Sequence, residues 1–384
     1  MLCLAGTHQS VEVKNPARLK ADRLPAERIS VGIVEDYKPC LAKLPDGELL
    51  LIGFHAPNAE PVSAEYIFVY RSTDGGKTWS KRERTDLLGR EPYFSLISDG
   101  TIFVSTQVLP KAHGNTEGYS YCYVYRSTDR GKTWEATRIA HEDVPGTSGK
   151  TTLWNGRNVL ELKDGTLIFG VGADHGLEYL WHSTDKGKTW DKSMTCKFNG
   201  VDQSKYPYSV QAEAVYWQAR DGKLLAVCRI TPKYFPALPG SEIPKTDVDH
   251  YERMVLYSSR DRGTTWQFAE LGSYYGEMYP AILRLKSGPL LFTFTLRAAV
   301  LPNTPPLGVQ AVLGTESSDG FQFDFRHDRI LLDTATPAGQ PSGGGFGNTV
   351  QLDDGMLVTS YSYRTEDKKT HCEVVRWRLP QSIH

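Results

Sequence analysis

The chain has 384 residues, a length that fits two or three average domains or one large all-β domain. Charged residues make up 23% and hydrophobic residues 40%, and a net charge of −1 gives no electrostatic reason to bind nucleic acid or an anionic membrane surface. No apolar run approaches the roughly 18 residues of a spanning helix, so membrane insertion is not expected. The start, Met1-Leu2-Cys3-Leu4-Ala5-Gly6, is apolar but shorter than a signal peptide. Residues 1–27 therefore read as an N-terminal extension. As the stub of a trimmed leader it implies a periplasmic or secreted protein, and otherwise a cytoplasmic one. Arg28 to Val34 reads as a strand able to close a ring built by the single domain expected over 28–384.

From there two turn signals alternate along the chain. The first is an Asp-Gly pair between apolar strands: Asp46-Gly47, Asp99-Gly100, Asp164-Gly165, Asp221-Gly222, the variant Ser287-Gly288, and Asp354-Gly355. Such pairs are strong hairpin signals. The second is an eight-residue unit that follows strand-like runs such as Tyr66 to Tyr70. It occurs as Ser72 to Trp79, Ser127 to Trp134, Ser183 to Trp190 and Ser259 to Trp266, with a worn copy at Ser317 to Phe323. Its Asp caps nearby backbone N–H groups, its Gly takes positive φ, and its Trp packs under the hairpin. Six hairpin turns alternating with five such units predict six four-stranded antiparallel blades, an all-β six-bladed β-propeller. The six cysteines (Cys3, Cys40, Cys122, Cys196, Cys228, Cys372) are scattered and read as small buried thiols.

Propellers bind ligands over the axis where the innermost strands converge. The residue eight before each hairpin turn takes an equivalent place in each blade. In order these are Lys38, Glu91, Gly156, Glu213, Tyr279 and Phe346. A cation, two carboxylates and a phenol in one ring are not a core composition. The second hairpin strands return to the same axis and end in His55, Gln107, Asp174 with His175, Arg229, Arg297, and Tyr363 with Arg364. Arg157 lies beside Gly156. Together these residues predict a polar pocket. The segments Thr231 to His250, Ala298 to Gly308 and Gly339 to Gly347 follow or adjoin it and are expected to wall it.

The unit Ser-x-Asp-x-Gly-x-x-Trp resembles the Asp box of the sialidase superfamily, and its four good copies cover most of the chain. The resemblance implies that these boxes lie at the blade periphery, away from the chemistry. Glu213-Ala214-Val215, leading through Asp221-Gly222 to Arg229, is similar to the sialidase strand pair that begins with a Glu and ends with an Arg. That likeness implies Glu213 as a catalytic carboxylate and Arg229 as a ligand for a sugar carboxylate, with Arg297 as a second Arg. Three departures stand beside it. Lys38, in Tyr37-Lys38-Pro39-Cys40, stands near the family's first-blade Arg. Phe346 takes the place of the nucleophilic Tyr, which leaves Tyr279 as the nearest phenol. The acid-bearing loop, His55 to Glu65, holds no Asp and offers only His55, Glu60 and Glu65 as proton donors.

The expectation is an exo-acting, sialidase-like glycoside hydrolase that removes a terminal sugar, acidic or polyhydroxylated, from an oligosaccharide or glycoconjugate. Its candidate catalytic groups are Glu213 and Glu91 as the carboxylate acid/base pair, with Glu91 the proton donor beside Glu213, and the phenol of Tyr279. Lys38, His55, Gln107, Arg157, His175, Arg229, Arg297 and Tyr363 are its candidate binding groups. The alternatives are a sugar-binding propeller without catalysis, or lyase- or rhamnosidase-type chemistry at His55 or His175. No phosphate loop, zinc spacing or dinucleotide fingerprint occurs, so no cofactor and no metal are expected.

Overall fold

Each Asp-Gly turn joins two antiparallel strands in the computed structural model. It describes residues 9–57, 60–173, 177–193, 208–210, 213–232, 252–297, 307–317, 320–336, 343–381 and 383. The chain is all-β. Among the described residues the only helices are two single 3-10 turns, Val62–Ala64 and His141–Asp143.

The first sheet runs in the order Asp36–Lys43, Leu49–His55, Tyr66–Ser72, Glu83–Arg84. The second repeats that order with Arg90–Leu96, Ile102–Val108, Tyr121–Ser127 and Glu135–Ile139. In the third, Leu167–Ala173 carries Leu177–Ser183 on one edge and the short strands Leu153–Asn155 and Leu160–Glu161 on the other. In the fourth, Leu224–Pro232 pairs Arg253–Ser259 on one side and Tyr208–Val210 with Val215–Gln218 on the other. The fifth sheet has ten strands. Glu277–Arg284, Leu290–Leu296, Gly308–Ser317 and Gly320–Phe323 form one antiparallel run of it. Thr349–Gln351, Leu357–Arg364, Thr370–Trp377 and Arg23–Val31 form another. Arg329–Leu331 and Gln9–Lys14 join the two runs.

Of the N-terminal extension expected over 1–27, residues 9–14 and 23–27 are strands of this sheet. The boundary at 27 falls inside Arg23–Val31, which pairs Thr370–Trp377 from Ala26 opposite Trp377 to Val31 opposite Cys372. Val11, Val13 and Leu24 are the physical reason: all three are buried in one cluster with Leu357, Tyr361 and Trp377. An apolar alternation that short is easily overlooked in a segment of mixed charge.

The second strand of each sheet is buried on both faces. Leu49 to Phe54 is buried without a break because neighbouring sheets cover it from either side. The apolar clusters step round the molecule. One joins the first and second sheets through Ile52, Val69 and Val104, the next joins the second and third through Phe103 and Phe169, and others follow through Tyr216 and Phe292. The last returns to the start, packing Val358 and Val374 with Leu49 and Phe68. Polar bonds lock the same seam. Leu41 N–H donates to Asn348 Oδ1 (2.8 Å), and Asn348 Nδ2 donates back to the Leu41 carbonyl (2.6 Å).

The Ser-x-Asp units are tight turns. Asp74 Oδ1 accepts from the backbone of Lys77 (3.0 Å) and Thr78 (2.9 Å), and Thr78 Oγ1 donates to Oδ2 (2.6 Å). Ser72 Oγ donates to Asp74 and accepts from Gly76 N–H (2.9 Å). The aspartates of the other three full copies, Asp129, Asp185 and Asp261, make the same bonds to the Thr four residues on. These carboxylates are consumed by their own turns. The worn copy lies partly outside the described residues.

Candidate active site

The first strand of each sheet breaks at the position eight residues before its hairpin turn. Register slips between Tyr37 and Cys40, between Arg90 and Tyr93, and between Met278 and Ala281. In the third and fourth sheets the first strand is split there into two short pieces. Four non-glycine residues at these breaks take positive φ: Lys38 (45°), Glu91 (52°), Glu213 (108°) and Tyr279 (58°). Each such conformation stores on the order of 1–3 kcal/mol. A bulge turns the side chain out of the alternating pattern, here toward the centre. Gly156 fills the third place because the chain passes too close to the next strand for a side chain. A Cβ on it would lie 3.2 Å from Gly170 and 3.1 Å from Tyr216. Arg157, next in sequence, takes the ring position instead.

The outcome is one connected polar network drawn from all five sheets. Lys38 Nζ donates to Glu91 Oε1 (2.5 Å) and to the Tyr279 hydroxyl (3.2 Å). Arg157 bridges two carboxylates, Glu91 Oε2 at 3.2 Å and Glu213 Oε1 at 2.6 Å. Arg229 pairs with the second Glu213 oxygen (3.0 Å) and with Glu252 (3.1 Å). Arg297 donates to the Tyr279 hydroxyl (2.7 Å). The Tyr279 ring has four cations within reach, Lys38 at 4.5 Å and Arg157, Arg229 and Arg297 at 5.8 to 6.0 Å. Phe346 completes the ring edge-on to Tyr279 and under the Arg157 guanidinium (4.6 Å).

Burial alone pushes the Glu91 carboxyl up, but Lys38, Arg157 and Arg90 outweigh it and hold the group well below the usual carboxylate range. Burial likewise pulls Lys38 down, and Glu91 and Tyr279 more than restore its charge. Glu91 is thus an ionised carboxylate, suited to stabilising positive charge and unsuited to donating a proton. Glu65 is its opposite. Burial raises its carboxyl, Arg90 at 3.6 Å lowers it, and the negative charge of Glu91 raises it again, leaving it above the ordinary value. A carboxyl pushed up beside one held down is the pairing that acid-assisted bond cleavage uses.

The remaining candidates are placed as follows. His55 shares a hydrogen bond at Nδ1 with the fully buried Asp36 (2.9 Å), which also takes Arg82 (2.8 Å) and Tyr70 (3.3 Å). Gln107 donates to the Leu153 carbonyl (3.0 Å) and lines a cavity next to Glu65. Tyr363 stacks on His371 rather than joining the ring. His175 and Asp174 lie outside the described residues, as do Cys3 and Cys196 and most of the segments 231–250 and 298–308, together with part of 339–347. Cys40, Cys122, Cys228 and Cys372 are buried free thiols. Glu252 and Asp36 hold site residues and were not singled out by sequence. Among the described residues no His, Cys, Asp and Glu group is arranged to hold a metal ion, and no helix is long and apolar enough to cross a membrane.

Residues 26–290 match the BNR repeat-like domain family. The chain belongs to that family. Solved structures of sialidases share its β-propeller fold. Over 150 residues this BNR-repeat protein is 28% identical to the xyloglucanase Xgh74A of Acetivibrio thermocellus, a match spanning 38% of the chain but 16% of that enzyme. A protein of unknown function from Dyadobacter fermentans superposes over 98% of this chain and 100% of its own, with a TM-score of 0.66 and 20% identity. The GH93 α-L-arabinofuranosidase of Fusarium graminearum, solved with arabinobiose, covers 95% of this chain and 96% of its own (TM-score 0.57, 15% identity). A sialidase of Streptococcus pneumoniae covers 91% and 70% (TM-score 0.60, 13% identity). At these identities the likeness is one of fold.

Proposed function

We propose that this BNR-repeat protein is an exo-acting glycoside hydrolase whose active site is the ring of Lys38, Glu91, Arg157, Glu213, Arg229, Tyr279 and Arg297. The observation that carries the reading is the set of four strained, positive-φ residues that turn a cation, two carboxylates and a phenol into one network. Strain of that kind is retained where the site needs it. The fold neighbours that hydrolyse glycans, the arabinofuranosidase and the sialidase, support the same class of chemistry. We further propose six blades: the ten-stranded sheet is two four-stranded blades, with Arg23–Val31 completing the last and Arg329–Leu331 and Gln9–Lys14 bridging them.

In this reading the terminal sugar sits over the ring. Glu91, held ionised, faces the anomeric carbon and stabilises the oxocarbenium-like transition state. Glu65 is the proton donor. As the bond from the anomeric carbon to the leaving oxygen breaks, the Glu65 proton passes to that oxygen. Water then adds to the anomeric carbon, and its proton restores Glu65. Glu213 is a positioning residue that holds Arg157 and Arg229 at one carboxylate. Arg229 spends its fork on Glu213 and Glu252, and Lys38 spends its charge on Glu91. Cations already matched by the chain's own carboxylates suit a neutral, polyhydroxylated sugar better than an acidic one.

The same saturation favours a second reading, a sugar-binding propeller that does not turn over. A panel of aryl glycosides and capped oligosaccharides, including arabinofuranosides and sialosides, separates the two. The hydrolase reading expects release of a terminal sugar from at least one substrate and its loss in Glu91→Gln. Glycan affinity without release on any substrate would establish the binding module instead.

A further inference from the structure

A cavity of about 240 Å³ lies between the first and second sheets, its wall reaching Arg90, the residue before Glu91 of the ring. It is walled by Glu65, Tyr66, Arg84, Arg90, Gln107 and Ala112. We infer that it is a subsite for the leaving sugar, the second unit of a glycan chain. The inference rests on the hydrolase reading above and adds to it where the rest of the substrate goes.

Three observations converge on this cavity. The first is its place. Glu65 lines it and feels both Glu91 and Lys38 of the ring, and Arg90 lies next to Glu91 in sequence and pairs with Glu65. A proton donor stands at the bond being cut, with the terminal sugar on one side and the leaving group on the other. Glu65 and Arg90 both line the cavity, and Arg90 immediately precedes Glu91 of the ring. The second is its chemistry. Carboxyl, guanidinium and amide groups offer donors and acceptors together, which matches a ring of hydroxyls. The Arg90 guanidinium is stacked on Phe54 (5.2 Å), and its Nε faces the Glu65 carboxylate (3.6 Å). The third is size. The volume is below the roughly 300 Å³ at which drug-sized pockets begin, so the cavity takes one small unit rather than a long chain.

The test uses the full chain and matched substrates sharing one terminal sugar: the glycosyl fluoride, whose leaving group is a single atom, and the disaccharide, as arabinobiose for arabinose and sialyllactose for sialic acid. Gln107→Ala removes a polar wall without adding bulk. Ala112→Trp fills the cavity from its loop, where the backbone N–H of Ala112 is bonded to the Leu109 carbonyl and is untouched by the change. Both variants are expected to lose about tenfold or more in kcat/KM on the disaccharide, with the fluoride changed less than twofold. Equal losses on both substrates, or no loss on the disaccharide, would overturn the subsite while leaving the hydrolase reading intact. If the wild type cleaves neither the fluoride nor the disaccharide for either sugar, both the hydrolase reading and the subsite fall.

Discussion

Arg157 is the most heavily used group in the ring, and Arg157→Leu is the perturbation with the most predictable consequence. Its side chain is 6% exposed, and it bonds Glu91 and Glu213, which are 17% and 10% exposed. Removing one partner of a buried ion pair typically costs about 3–5 kcal/mol, because the other charge is left without compensation. Here each carboxylate keeps a second cation, Lys38 for Glu91 and Arg229 for Glu213. That places the expected loss at the low end, about 3 kcal/mol. The sign with pH follows from Glu91, whose folded carboxyl lies below its ordinary value. Its contribution is complete above about pH 4.3 and is lost as pH falls through the folded value. The deficit of Arg157→Leu is therefore full at pH 7.5 and smaller at pH 4. Urea unfolding followed by tryptophan fluorescence at the two pH values measures it. Arg157→Lys restores charge without the fork and should recover only part of the loss. A deficit under about 1 kcal/mol at pH 7.5, or one as large at pH 4, would refute the claim that Arg157 holds two buried carboxylates.

Other consequences can be checked in the same preparations. Asp333 is buried, and its carboxyl is pushed up to about 6, first by burial and further by Glu373, against bonds from Thr336 and Ala335. A raised carboxyl penalises the folded state only once ionised, so stability should fall as pH rises from about 4 to 6 and level off above, by about 3 kcal/mol. Asp333→Asn should flatten that part of a stability-against-pH curve, and an unchanged slope would count against it. Glu65→Gln should lower kcat on a disaccharide by about 100-fold or more and remove the alkaline limb of its pH profile. An alkaline limb that survives would exclude Glu65 as the proton donor. Glu252→Gln, which loosens Arg229, should raise KM about tenfold with kcat within twofold if Arg229 binds the sugar rather than reacts. Equal effects on kcat would give Arg229 a part in the chemical step.

The strand pattern was legible because local rules and the fold agree. Asp-Gly turns need positive φ, Ser-x-Asp turns cap their own backbone, and both recur in fixed phase. Counting back from those turns found Lys38, Glu91, Glu213 and Tyr279, which meet in one network. The reason they meet was not legible. Lys, Glu and Tyr carry no signal for positive φ, so the breaks that turn them inward are imposed by packing. Tyr363 has the same spacing logic as Arg229 and Arg297, yet it stacks on His371 away from the ring. The N-terminal strands Gln9–Lys14 and Arg23–Val31 are anchored by Val11, Val13 and Leu24, three apolar residues too sparse to stand out among charged neighbours. Glu252 escaped notice because it precedes a strand with no turn signal to index it, and its role appears only when Arg229 reaches across.

The central claim is that an ionised Glu91 in the ring drives glycan cleavage. Its most direct test is the rate of reducing-sugar release from a cleaved oligosaccharide by the wild type and by Glu91→Gln, compared with the binding affinity of each. The account predicts that release falls by about 1,000-fold or more in the variant while affinity changes by less than about tenfold. Release at the wild-type rate by Glu91→Gln would contradict it.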